Sequence, residues 1–154
     1  MDNHEEWIGM RTTQLTGEMR RDNHRLKARV YYADTDCSGV VYHARYLEFL
    51  ERGRIEYLRL VVEQHSGDDS FQVDTRSAWI VRRLQIDFKR PARLDELIII
   101  ETRSTNISGA RVEIAQTIWH GGDILIEAQT ECALVDSAGH PQRLPKNWKH
   151  ILLQ

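Results

Sequence analysis

The sequence predicts an α+β domain in which one long helix packs against an antiparallel sheet of five strands. Two observations carry this reading. Apolar and polar residues alternate along five separate stretches, the period of a half-buried strand. Between the first and second stretches the apolar spacing changes to threes and fours over about 22 residues, or ~33 Å of amphipathic helix. The sheet is the one partner against which that helix can bury its apolar face, so a long sheet wrapped round a central helix is the economical arrangement.

Residues 1–25 read as a polar extension, expected to be flexible, because Trp7, Ile8, Met10, Leu15 and Met19 are scattered without a sustained period. A single domain is expected over 26–154. Its first strand is expected over Leu26–Ala33, where Leu26, Ala28, Val30 and Tyr32 alternate with Lys27, Arg29 and Tyr31. If Val30 faces the helix, Tyr32 does too, two residues along the same strand. Asp34-Thr35-Asp36-Cys37-Ser38-Gly39 is a loop rich in turn-forming residues. The helix is expected from about His43 to Gln64, with Tyr46, Leu47, Phe49, Leu50, Tyr57, Leu58 and Val61 on its apolar side. Its one glycine, Gly53, leaves a gap on that side through which a strand can pass close.

After a polar linker over 65–76, Ala78, Ile80, Leu84, Ile86 and Phe88 mark a strand that ends at Lys89-Arg90-Pro91. A second strand runs from about Asp95 to Thr105. A third carries Val112, Ile114 and Ile118, and a fourth Ile124, Ile126, Ala128, Cys132 and Leu134. Gly121-Gly122, between these last two, is a hairpin signal.

Composition narrows the function. The 154 residues carry 21 Lys and Arg against 23 Asp and Glu, a net charge of −2, without the basic excess of a nucleic-acid reader. No apolar run approaches the ~18–20 residues of a membrane span. The first ten residues lack the basic and apolar regions of a secretion signal. Two cysteines, Cys37 and Cys132, make neither a disulfide framework nor a zinc tetrad. A cytoplasmic protein is expected, at most peripheral at the inner membrane.

The chemistry-bearing residues concentrate between Tyr32 and His43: two carboxylates, phenols and an imidazole at the start of the helix. Amides that open a helix lack intrahelical acceptors and carry about half a positive charge, which suits a carbonyl oxygen turning negative. Other readings compete at this point. Asp34, Asp36, Ser38 and Gly39 imitate a calcium loop, but Arg45 stands where its closing glutamate belongs. Asp34, Asp36 and His43 would give a metal three ligands from one short loop with no evident fourth. Cys37 with His43 would form a nucleophilic pair. Alternatively, the two aspartates simply make turns and cap the helix. The charges along the helix read as a solvated face; Lys89-Arg90 and Arg93 are candidates to touch a phosphate but read more simply as exposed cations at a strand end.

Arg29 through Asp36 and Gly39 through Tyr46 resemble the signature of hotdog-fold acyl-CoA thioesterases of the 4-hydroxybenzoyl-CoA thioesterase type. Within them the likeness is to small bacterial thioesterases encoded with the Tol-Pal envelope system. It continues through Glu51–Arg59, Val81–Phe88, Arg90-Pro91-Ala92 and Arg143-Leu144-Pro145, and so covers about 28–146. The resemblance implies a hotdog fold that hydrolyses the thioester of an acyl-CoA or acyl-carrier protein without a cofactor, in a homotetramer built of two dimers. It implies Asp36 as the catalytic carboxylate with His43 and Tyr32 beside it, and Val41, Tyr42 and His43 holding the substrate. A non-hydrolytic acyl-binding or dehydratase-type relative, or a scaffold at the inner membrane, is the alternative.

Overall fold

The computed structural model describes residues 15–65 and 76–153. Six antiparallel strands form one sheet in the order β1-β2-β4-β5-β6-β3. They are β1 (Glu18–Met19), β2 (His24–Arg29), β3 (Ala78–Phe88), β4 (Leu97–Ser108), β5 (Arg111–His120) and β6 (Asp123–Val135). Helix α1 (Arg45–Gln64) joins β2 to β3 at the far edge of the sheet, and a short helix α2 (Trp148–Leu152) follows β6. The long helix and the four strands after it are as the sequence predicts, and the helix packed on the sheet is the hotdog arrangement that the resemblance implies.

The sheet has six strands where five are expected. The extra one, Glu18–Met19, pairs with Arg25 and His24 of β2. A buried imidazole anchors it: His24 Nε2 hydrogen-bonds the Thr16 carbonyl at 2.6 Å, and burial lowers the His24 pKa. A two-residue strand has no period, so alternation cannot reveal it. The expected extension also covers 1–14, which lie outside the described residues, as do 66–75 of the linker.

β2 ends at Arg29, short of the expected Ala33. The Val30 amide and carbonyl close onto Glu96 and Asp95, at 3.0 Å each, and the chain then turns through a 3-10 segment, Tyr32–Asp34. α1 likewise starts at Arg45, leaving His43 in the turn before it.

Gly53 does what its position predicts. A Cβ there would lie 2.6 Å from Ile100 Cγ2 and 2.9 Å from both Thr102 Oγ1 and Gln116 Nε2, so its absence lets α1 settle onto β4 and β5. Phe49 and Leu50 fill one core with Val30, Ile98, Ile100, Ile118 and Ile126. Tyr57 and Val61 fill a second with Ile114, Leu134 and Trp148. Each large apolar side chain so buried contributes roughly 1.5–3 kcal/mol. The first core underlies the start of α1, and this rigid platform carries the site.

Candidate active site

The loop between β2 and α1 is a tight hairpin. Thr35 pairs with Val41 and Val40 with Arg93. The Asp36 amide donates to the Val40 carbonyl and the Gly39 amide to that of Asp36, both at 3.0 Å. Gly39 closes the turn at φ +78°, a conformation that an L side chain resists.

Asp34 and Asp36 have opposite surroundings. Asp34 is buried: its Oδ2 accepts the Tyr31 N–H at 2.8 Å, and its Oδ1 lies 3.4 Å from Arg45 Nε. Both its oxygens are engaged in holding the turn. Asp36 is exposed at the hairpin tip, where Oδ1 accepts the Ser38 N–H at 2.8 Å and the Ser38 hydroxyl. The Ser38 hydroxyl, then the Ser38 amide, and then the charge of His43 hold the Asp36 carboxyl below the usual aspartate range. It is therefore an ionised carboxylate at neutral pH.

Val41 is buried, its N–H bonded to the Ala92 carbonyl at 2.9 Å. Tyr42 donates its amide to the Asp34 carbonyl, also at 2.9 Å. The Tyr42 and His43 rings meet edge to face with centroids 4.6 Å apart. Among the described residues, the amides of His43 and Ala44 have no backbone acceptor. Donors at the start of α1 thus stand ready for an oxyanion.

Tyr32 does not reach the helix. Its side chain is 81% exposed, because the 3-10 turn ends the strand alternation before it. Val30 faces inward as expected, but two residues later the rule no longer applies.

Sequence reasoning missed the far wall. Phe88, at the end of β3, lies edge-on to His43 and Tyr46 with centroids 6.4 and 5.9 Å away. Tyr46 accepts the Ala92 N–H at 2.9 Å, which fixes the Pro91-Ala92 backbone beside it. Val41, His43, Tyr46, Phe88 and Pro91 line an open hollow of about 250 Å³, together with Lys89 and Arg90. Phe88 follows Leu84 and Ile86 on one face of β3 and is itself half exposed, and that alternation was the available signal. A larger hollow of about 350 Å³ lies among polar residues such as Gln85, Asp87, Arg103 and Gln129, and none of the nominated residues lines it.

Residues 38–127 match the family model described as the thioesterase superfamily, 4HBT. The chain belongs to that superfamily. It is 38% identical over 122 residues to the acyl-CoA thioesterase YbgC of Haemophilus influenzae, covering 79% of this chain and 88% of the relative. The acyl-CoA thioester hydrolase YbgC of Escherichia coli O157:H7 is likewise 38% identical, over 80% of this chain and 90% of its own. Among solved structures, a probable thioesterase from Bartonella henselae is 46% identical and superposes with a TM-score of 0.69. That match covers 81% of this chain and all of the other. The family match begins at Ser38, inside the Asp36 hairpin, and takes in α1 and the cavity wall from β3.

Proposed function

We propose that this superfamily member hydrolyses acyl-CoA thioesters, with Asp36 as the catalytic carboxylate. The observation that carries this reading is an exposed, ionised carboxylate on a tight hairpin that feels the charge of His43, followed along the chain by the open amides of His43 and Ala44. The thioester carbonyl lodges on those amides, where the positive end of α1 stabilises the developing oxyanion. Asp36 takes a proton from a water molecule as the water oxygen attacks the carbonyl carbon, or Asp36 attacks that carbon itself to form a mixed anhydride that water then hydrolyses. The C–O bond forms, the C–S bond breaks, and the CoA sulfur leaves as a thiolate. A thiol pKa near ~8.5 makes that departure easy without a strong acid. Val41, Tyr42 and His43 hold the acyl thioester. His43 and Tyr32 contribute less than Asp36, and Tyr32, 81% exposed, is not among the residues that line the hollow.

Free thiol measured with a thiol-reactive dye during incubation with acyl-CoA tests this directly. Stoichiometric release of CoA supports a hydrolase, whereas binding without release supports an acyl-binding protein and overturns the reading.

The pH dependence follows from the Asp36 environment. Its lowered pKa keeps the carboxylate ionised down to a pH below the ordinary aspartate value of ~3.9, so the acid limb of kcat/KM lies below that point. Ser38→Ala removes the largest cause of the lowering and should move the limb upward toward the ordinary value. An unmoved limb contradicts it.

The assembly belongs to the same reading. Among the described residues β3 pairs only with β6, and its other edge, 11 residues long, has no strand partner. Ile80, Val81 and Phe88 on β3 and Leu47, Ile55 and Val62 on α1 are exposed. A long apolar edge of this kind invites pairing with a second copy. This supports a homodimer through β3 and a tetramer of two such dimers. Light scattering at micromolar concentration should give a multiple of 18.0 kDa, and an 18.0 kDa particle alone refutes it. Both described cysteines are free thiols, which supports a reducing, cytoplasmic setting. A link to a Tol-Pal envelope system rests on the resemblance in sequence.

A further inference from the structure

The proposed reaction needs two pieces of backbone to keep a fixed separation: the hairpin that carries Asp36 and the turn that presents the His43 and Ala44 amides. One side chain bridges them. Arg45 is the first residue of α1, and its guanidinium reaches back to the loop. Nη2 donates to the Ala33 carbonyl at 2.8 Å, and Nε lies 3.4 Å from Asp34 Oδ1. Nη1 pairs with Glu48, one turn further along the helix. The carboxylate it meets is no surface group, for the Asp34 residue is only 8% exposed. Asp34 in turn fixes both neighbours of the hairpin through the Tyr31 amide and, by its own carbonyl, the Tyr42 amide. Asp36 has no such tie, since among the described residues its carboxylate bonds only to Ser38.

We infer that Arg45 is a positioning residue for thioester hydrolysis, setting the distance between the Asp36 carboxylate and the amides that receive the carbonyl oxygen. The inference rests on the proposed function. A guanidinium suits the task because its planar fork grips a carbonyl, a carboxylate and a helix carboxylate at once, whereas an ammonium is a single point of charge. A displacement of about 1 Å between reacting groups can cost about 10²-fold in rate. Substrate binding depends instead on the cavity walls from Val41, Phe88 and Pro91, which Arg45 does not line.

Wild type, Arg45→Met, Arg45→Lys, Asp36→Asn and the Asp36→Asn/Arg45→Met double variant are assayed with hexanoyl-CoA and benzoyl-CoA by release of free thiol, beside melting curves. Arg45→Met should lower kcat about tenfold with KM within about twofold, and Arg45→Lys should recover part of that loss. In the Asp36→Asn background the same replacement should cost less than twofold more, because the group it positions is already inactive. If Arg45→Met does not fold, Arg45→Lys is read in its place, folded and several-fold slower in kcat. Unchanged kcat in the folded variants, a loss confined to KM, or losses that multiply in the double variant overturn the inference alone. A wild type that releases no thiol from either substrate overturns both the inference and the function beneath it.

Discussion

Asp36→Asn should abolish most of the turnover while leaving the fold as it is, with a loss of at least ~10²–10⁴-fold in kcat. Asparagine keeps the size and the acceptor oxygen, so the Ser38 N–H and hydroxyl retain their partner. What it removes is the ability to take a proton or to attack as an anion. Asp36 is exposed at the tip of the hairpin and ties down nothing beyond Ser38, and surface replacements of that kind change stability by about ±0.5 kcal/mol. Steady-state kinetics beside a melting curve separate the two effects: turnover collapses and Tm stays.

Gly53→Ala should have the reverse profile, a large cost in stability with no contact to the reacting groups. The added methyl meets Ile100 Cγ2 at 2.6 Å, and Ile100 is fully buried and stiff at its branched Cβ. It also meets Gln116 Nε2, which donates to the Leu50 carbonyl at 2.8 Å and to Thr102 Oγ1 at 3.0 Å. Moving that amide aside leaves buried polar groups unpaired, at about 1–3 kcal/mol. Overpacking adds about 1–3 kcal/mol, and the better helix propensity of alanine returns about 1 kcal/mol. A net loss of about 3 kcal/mol should lower Tm by roughly 6–12 °C for a chain of this size. Gly122→Ala is the control, because a Cβ there meets nothing within 4 Å. Equal melting temperatures for the two variants would contradict the close approach of α1 to the sheet.

The parts of this molecule that were legible in its sequence are those governed by period and by short-range turn chemistry. Threes and fours from Tyr46 to Val61 marked α1, alternation marked β3 to β6, and Gly121, with φ +56°, marked the β5–β6 turn. The aspartate loop could be read as a site, but whether its carboxylates served turns or chemistry stayed open. Burial separates them, with Asp34 inside and Asp36 outside.

What escaped depends on contacts between distant segments. Tyr32 was expected to face inward because alternation cannot tell where a strand stops. That boundary is set by Val30 closing onto Asp95 and Glu96, some 65 residues along, with Asp95 at φ +67°. Phe88 joined the site only because the topology carries β3 to the sheet edge beside the start of α1. Arg45 looked like one more charge on a solvated helix face until its reach back to Ala33 and Asp34 was visible.

Single-turnover hydrolysis of an acyl-CoA by Asp36→Asn and by Asp34→Asn, side by side, tests the central claim most directly. The buried Asp34 organises the turn and partners Arg45, so its amide variant should retain measurable chemistry at about a tenth of the wild-type rate and melt at a lower temperature. The Asp36 variant should melt like the wild type and hydrolyse at least ~10²-fold more slowly. A near-wild-type rate for Asp36→Asn beside an inactive but folded Asp34→Asn would contradict the assignment of the catalytic carboxylate.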